Sequence, residues 1–226
     1  MRKYILIFTV LFFTSNALAH TNHYKGIKKI EMNVIRNGEI IGYSNYFFEH
    51  NDNEMNVKNY TNFKVELLGI TVFSILSEAL EKYKDDKLIY FKSHTFQNDK
   101  EKYVNLVYDN KSGKFIINGS SYKGKASENC IIGNWWNHKI LKATEQISPL
   151  SGSIKEQVVT FIGEEKLIIN NIEYFADHFK LKSKNENLSD DKKLNFDIWY
   201  NKKNNLIIKV SYSKMGEWEY KLKNFE

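Results

Sequence analysis

The sequence predicts a mainly β protein, a single domain built as a curved antiparallel sheet or incomplete β-barrel with one short helix. Three observations predict it. Most segments alternate apolar and polar residues with period two, the pattern of strands that bury one face. Clusters of Asn, Asp and Gly punctuate those segments at the spacing of a meander. The wet face implied by the alternation suits antiparallel pairing, and bending such a sheet shields its edges.

The elements follow in chain order. Ile30, Met32 and Val34 lead into Asn37-Gly38, and Ile41, Tyr43 and Phe47 lead away. Asn-Gly between apolar runs favours a type I′ turn, because both central residues need positive φ. A two-residue loop sets Arg36 opposite Glu39, Val34 opposite Ile41 and Met32 opposite Tyr43. After the polar turn His50–Glu54, the residues Met55, Val57, Thr61, Phe63, Val65 and Leu67 share one face. Asn56, Lys58, Asn62, Lys64 and Glu66 take the other, and Gly69 ends the run. Residues 70–84 carry two signals: Ile70–Ile75 is rich in β-branched residues, while Ser77–Lys82 has helical propensity. A strand turning at Asp85-Asp86 is the favoured reading, and a helix is the alternative. Strands are then expected at Leu88–Phe96, Tyr103–Tyr108 and Lys114–Asn118. Residues 119–152 break the alternation, and Asn134 stands where it would cap a short helix from Trp135 to Thr144. Strands resume at Gln157–Ile162, Lys166–Ile169, Ile172–Leu181, Leu194–Tyr200, Leu206–Tyr212 and Trp218–Leu222.

The first nineteen residues set the expected address. Arg2 and Lys3 precede an apolar run, Tyr4–Phe13, and Ala17-Leu18-Ala19 precedes His20. Charged head, apolar middle and A-x-A site are the layout of a secretory signal peptide. The run of ten residues falls short of the roughly twenty that span a bilayer. Cleavage after Ala19 leaves residues 20–226 as a periplasmic or secreted chain with no transmembrane segment. Cys130 is the sole cysteine, so no intrachain disulfide forms, and burial is its expected state. The formal charge of +6 drops to +4 once Arg2 and Lys3 are removed. Arg36 is then the only arginine, and the lysines are interspersed with acids. Arginine is the usual side chain for bidentate phosphate and base recognition, so no nucleic-acid partner is expected.

No catalytic or metal motif stands out. Gly119-Ser120-Ser121 and Ser151-Gly152-Ser153 lack the G-x-S-x-G elbow. His94, His138 and His178 are scattered without H-x-x-x-H spacing, and His20 with His23 lies at the new amino terminus. Asp177 and His178 are strand neighbours that point to opposite faces, so they form no base–orienter pair. Asp85-Asp86, Glu164-Glu165 and Asp190-Asp191 fall in expected turns, where acids stay solvated and ionised. No catalytic residue, metal ligand or cofactor is assigned. The aromatic residues are the better clue, and Trp135, Trp136, Trp199, Tyr200 and Trp218 are the candidate ligand-binding residues. Indoles join large apolar area to one donor. That suits either a packed plug at an open end of a curved sheet or a concave face for an amphiphile.

Five motifs occur in order: Asn37-Gly-Glu-Ile-Ile-Gly42; Leu67-Leu-Gly-Ile-Thr-Val72; Glu81 with Leu88 and Ser93-His-Thr95; Trp135-Trp136; and Phe196-Asp-Ile-Trp-Tyr200 with Leu206-Ile207. In them the chain resembles a family of uncharacterised exported bacterial proteins, a domain of unknown function that spans nearly all of the mature chain. More distantly it is similar to the half-open barrels of periplasmic lipoprotein carriers. The resemblance implies a curved antiparallel sheet and supports a strand over residues 70–84. It brings no known activity and no catalytic residues. Asn201 stands where the family pattern has an aspartate, a change expected to affect only a turn.

These readings lead to a non-enzymatic exported protein that binds an amphiphilic small molecule or an envelope protein. Two alternatives stay open. One is a hydrolase or isomerase acting on an envelope component, in which one of the three histidines meets an acid in a pocket. The other is a structural or assembly factor that pairs through a strand edge.

Overall fold

The computed structural model describes residues 23–190 and 192–226; the leader Met1–Ala19 and His20 lie outside them. The first eight strands are β1 (Lys29–Arg36), β2 (Glu39–Asn51), β3 (Glu54–Leu67), β4 (Ile70–Lys84), β5 (Lys87–Gln97), β6 (Lys100–Asp109), β7 (Lys114–Gly119) and β8 (Lys123–Ser127). The rest are β9 (Ile131–Ile132), β10 (Glu145–Ile147), β11 (Ile154–Ile169), β12 (Ile172–Ser183), β13 (Asn195–Asn201), β14 (Leu206–Ser213) and β15 (Glu217–Phe225). They form one open curved sheet in the order β8-β7-β6-β5-β4-β3-β2-β1-β15-β14-β13-β12-β11-β10-β9. Two antiparallel meanders therefore meet where β1 pairs with β15, from Ile30 opposite Phe225 to Arg36 opposite Trp218. Among the described strands, only β9 and β10 pair in parallel.

Curvature brings the outer strands together. Glu128, Asn129 and Cys130 alone separate β8 from β9, which stand at opposite ends of the strand order. The two margins share no ladder. They meet where the Ser121 N–H donates to the Ser151 carbonyl at 2.9 Å. Gly119 permits the approach, since a Cβ there would stand 2.5 Å from the Ser151 carbonyl oxygen.

Residues 70–84 are the strand β4, whose inward residues Ile75, Ser77, Glu81 and Tyr83 are buried. Pairing with β3 and β5 on both sides overrides the local helical propensity. Other details differ from expectation. Arg36 does face Glu39, but a bulge between Val34 and Ile35 sets Val34 opposite Gly42 and Met32 opposite Ser44. The bulge adds twist while Val34 and Met32 stay in the core. The expected strands Gln157–Ile162 and Lys166–Ile169 are one strand, β11, because a bulge between Phe161 and Gly163 re-phases the alternation without ending the ladder. The expected helix from Trp135 to Thr144 shrinks to a single 3-10 turn, His138–Leu141, capped by Asn137 and not by Asn134. The neighbouring backbone instead enters sheet pairing through β10 and packs its indoles inward.

The segment between β8 and β11 lies across one face of the sheet and fills it. Its Trp136, Ile132 and Ile147 join Ile30, Met32, Val57, Phe91 and Leu106 in the main core. A second cluster packs Ile131 and Ile140 on Leu181, Ile198 and Val210. A third gathers Val34, Phe63, Val65, Ile75 and Trp218 beneath the β1–β2 and β3–β4 turns.

Candidate functional site

The candidate tryptophans do not form one surface. Trp136 is fully buried, edge-on to Tyr24, Phe48 and Tyr83. Its Nε1–H donates to Glu81 Oε1 at 2.9 Å, where the Asn134 amide also donates at 2.7 Å. The Tyr83 hydroxyl donates to Glu81 Oε2 at 2.6 Å. Burial pushes the Glu81 carboxyl up to about 7, against the pull of these three donors. This knot clamps the segment carrying Trp135-Trp136 onto β4. Trp135 packs on Phe196 and Tyr220, and Trp218 stacks with Tyr212 in the third cluster. Tyr200 donates to Asn205 Oδ1 and lies 5.2 Å from the His138 ring. Trp136, Trp199 and Trp218 are all buried, so the filled face offers no open indole-lined hollow.

Trp199 belongs to a polar cluster over β11, β12 and β13. Its indole stacks on His178 with ring centroids 4.5 Å apart, and Lys209 Nζ lies 4.7 Å from it. Its Nε1–H donates to Glu165 Oε2 at 2.8 Å. His178 Nδ1 reaches Glu165 Oε1 at 2.7 Å and Nε2 reaches Asp197 Oδ1 at 2.9 Å. Both ring nitrogens are therefore engaged by carboxylates from neighbouring strands. Hydrogen bonds from Trp199 and His178 hold Glu165 below its ordinary range, against slight desolvation. Partial burial pushes Asp197 up, but Lys180 and His178 outweigh it and hold the carboxyl low.

The other histidines and the thiol fit structural parts. His94 pairs with Glu101 in the open. His138 Nδ1 lies 2.8 Å from the Tyr24 hydroxyl, and burial with His23 nearby lowers the imidazole to about 4. Cys130 donates to Glu145, and burial with that neighbour pushes the thiol up to about 12, far from a reactive thiolate. The described residues hold no cluster of His, Cys, Asp or Glu suited to a metal ion. No described helix is long and apolar enough to cross a membrane.

An open concavity lies elsewhere, at the sheet end that carries the β11–β12 and β13–β14 turns. A half-open groove of about 620 Å³ runs between β12, the β13–β14 turn and the end of β15. Ile172, Tyr174, Phe175 and Phe225 supply apolar wall; Phe175 is 70% exposed and Ile172 55% exposed. Lys202 bridges Glu164 at 3.2 Å and Asp177 at 3.0 Å. Lys203 adds a cation with no ion pair among the described residues. Asn201 builds the turn: its Oδ1 accepts from Asn204 N–H at 3.0 Å, and its amide donates to the Phe175 carbonyl at 2.8 Å. An aspartate would lack that second donor, so Asn201 ties the turn to β12 as well as shaping it.

The sequence matches the domain of unknown function DUF6134 over residues 32–223. The chain belongs to the DUF6134 family. The match runs from β1 to β15 and so includes the groove, the His178 cluster and the Glu81 knot. No curated protein matches this DUF6134 chain. Among solved structures, it is similar to the crystal structure of a beta-barrel-like protein of the domain of unknown function DUF1849 from Brucella abortus. The likeness covers 88% of this chain and 97% of that one at 9% identity, with a TM-score of 0.58. It shows a shared barrel-like fold.

The groove and the His178 cluster escaped the sequence. Asp177 was the acid beside His178 in the chain, whereas the acids that reach the ring come from β11 and β13 across the ladder. Phe175 left one trace, a large apolar residue on the face opposite Tyr174 and Ala176 in a strand expected to bury one side.

Proposed function

We propose that this DUF6134 protein is an exported envelope protein of one folded domain, 20–226, that binds an anionic amphiphile without chemical turnover. The groove carries the reading. It places exposed Phe175 and Ile172 with Lys203, which has no ion pair among the described residues, an apolar wall next to a cation. Ligand sites join such apolar surface to a few placed polar groups. The leader-like Met1–Ala19 supports a periplasmic or secreted address. A hydrolase is less well supported, because His178 has both nitrogens engaged and no hydroxyl nucleophile among its hydrogen-bond partners.

Titration with the fluorescent anionic amphiphile anilinonaphthalene sulfonate tests it. Saturable enhancement is expected, weakened roughly tenfold by either Phe175→Ser or Lys203→Glu, as loss of one buried aromatic contact or one desolvated charge implies. Unsaturable binding, or binding untouched by both substitutions, rules the groove out. Mass spectrometry of small molecules extracted from protein purified from its own host then names the natural ligand.

A further inference from the structure

Ten described residues other than glycine have positive φ, and eight of them are Asn or Asp, which tolerate the left-handed region. The other two are Leu68 (φ 52°) and Met215 (φ 51°). They are also the two most exposed large apolar residues, at 95% and 89%. Asparagine would occupy either position with less strain and more favourable hydration, so folding does not account for the choice.

Both turns lie at the same end of the sheet. Gly42 opposite Phe63 and Arg36 opposite Trp218 set the turns Leu68-Gly69, Asn37-Gly38 and Met215-Gly216 at one level on adjacent strands. Ile40, Leu67 and Ile70, each more than 60% exposed, stand among them. Polar turns bound the patch, Asn98-Asp99 on one side and residues 184–190 on the other. The opposite end of the sheet carries Asp52-Asn53, Asp85-Asp86, Asn170-Asn171 and Lys202–Asn205, all polar.

We propose that this rim docks the protein on a zwitterionic lipid bilayer, with Leu68 and Met215 entering the boundary between headgroups and acyl chains. The patch is a row of protruding tips, which suits a deformable apolar layer. Its charges balance, Arg36, Lys64 and Lys214 against Glu39, Glu66 and Glu217, which complements a headgroup layer that carries both signs. The Met215 tip is pre-ordered. The Arg36 guanidinium lies 5.7 Å from the Trp218 ring and donates to the Met215 carbonyl. Trp218 is in turn stacked on Tyr212 and edge-on to Phe63 and Phe73. A rigid apolar tip loses little conformational entropy on insertion. The proposal is independent of the groove, which opens at the other end.

Co-sedimentation of the purified chain with vesicles of phosphatidylcholine and phosphatidylethanolamine tests it. Leu68→Asn and Met215→Asn suit positive φ, so their thermal midpoints are expected to match or exceed that of the parent. Each is expected to weaken vesicle binding roughly tenfold, and the double variant roughly a hundredfold, as loss of one buried apolar side chain each implies. Binding is expected to persist in high salt. A Leu68→Trp variant is expected to shift its emission to the blue when vesicles are added. Absence of sedimentation by the parent, equal binding by the double variant, or binding confined to anionic vesicles at low salt overturns the proposal. So does light scattering in which the two Asn substitutions instead dissociate a dimer.

Discussion

Glu81 and His138 sit within one polar knot around Trp136 and titrate in opposite senses. The folded state holds the Glu81 proton up to about 7, against 4.5 for the ordinary carboxyl. Folding takes up a proton between those values, so stability falls as pH rises through that window and levels off above it. The shift corresponds to roughly 3 kcal/mol. Glu81→Gln is expected to abolish that fall, read from urea unfolding at intervals from pH 4.5 to 8. An unaltered pH profile would show that the carboxyl is ordinary. His138 is lowered from 6.5 to about 4, so the folded state refuses a proton that the unfolded chain accepts. Its contribution is lost as pH falls through that window. His138→Gln should therefore remove an acid-side loss of stability and leave the Glu81 slope in place.

At the scale of elements, His178 ties β11 to β13 across β12, with Glu165 and Asp197 on either side of its ring. Both carboxyls lie below their ordinary range, so the stability they confer is present above that range and is lost as pH falls through their folded values. His178→Ala leaves two carboxylates without their shared partner. It is expected to cost roughly 1.5–3 kcal/mol, the range for hydrogen bonds to charged groups. Faster hydrogen exchange should concentrate in β11 and β12; uniform protection would show that the cluster does not hold the strands. The elements themselves were largely legible in the sequence. Alternation marked the strands, and Asn37-Gly38 and Asp85-Asp86 marked their turns. The phase shifts were hidden, because a bulge such as that beside Gly163 looks in sequence like the end of a strand. Residues 119–152 were legible only as irregular. Their structure is set by what they plug, through contacts such as Asn134 and Trp136 to Glu81 that lie more than fifty positions away. The groove was illegible for the same reason, since β12, the β13–β14 turn and β15 come together only by tertiary packing.

At the scale of the whole molecule, the seam between the outer strands rests on the absence of a side chain at Gly119. Gly119→Val would drive a branched Cβ against the Ser151 carbonyl, which its own Cβ alone would meet at 2.5 Å. The two margins should part, uncovering edge backbone that no ladder pairs and that can template association with other chains. A lower thermal midpoint and a rising scattering signal with concentration are expected, while a monomer as stable as the parent would show that the seam is dispensable.

The junction between β1 and β15 bears on how the chain assembles. β1 gains its second neighbour only from residues about 180 positions further along. Each meander can begin to zip by itself through short hairpins, but the middle of the sheet stays unstitched until the final ribbon arrives between β1 and β14. Such distant pairing makes for slow completion. A half-made polypeptide therefore remains loose and threadable, and becomes rigid only when its fifteenth strand slots home.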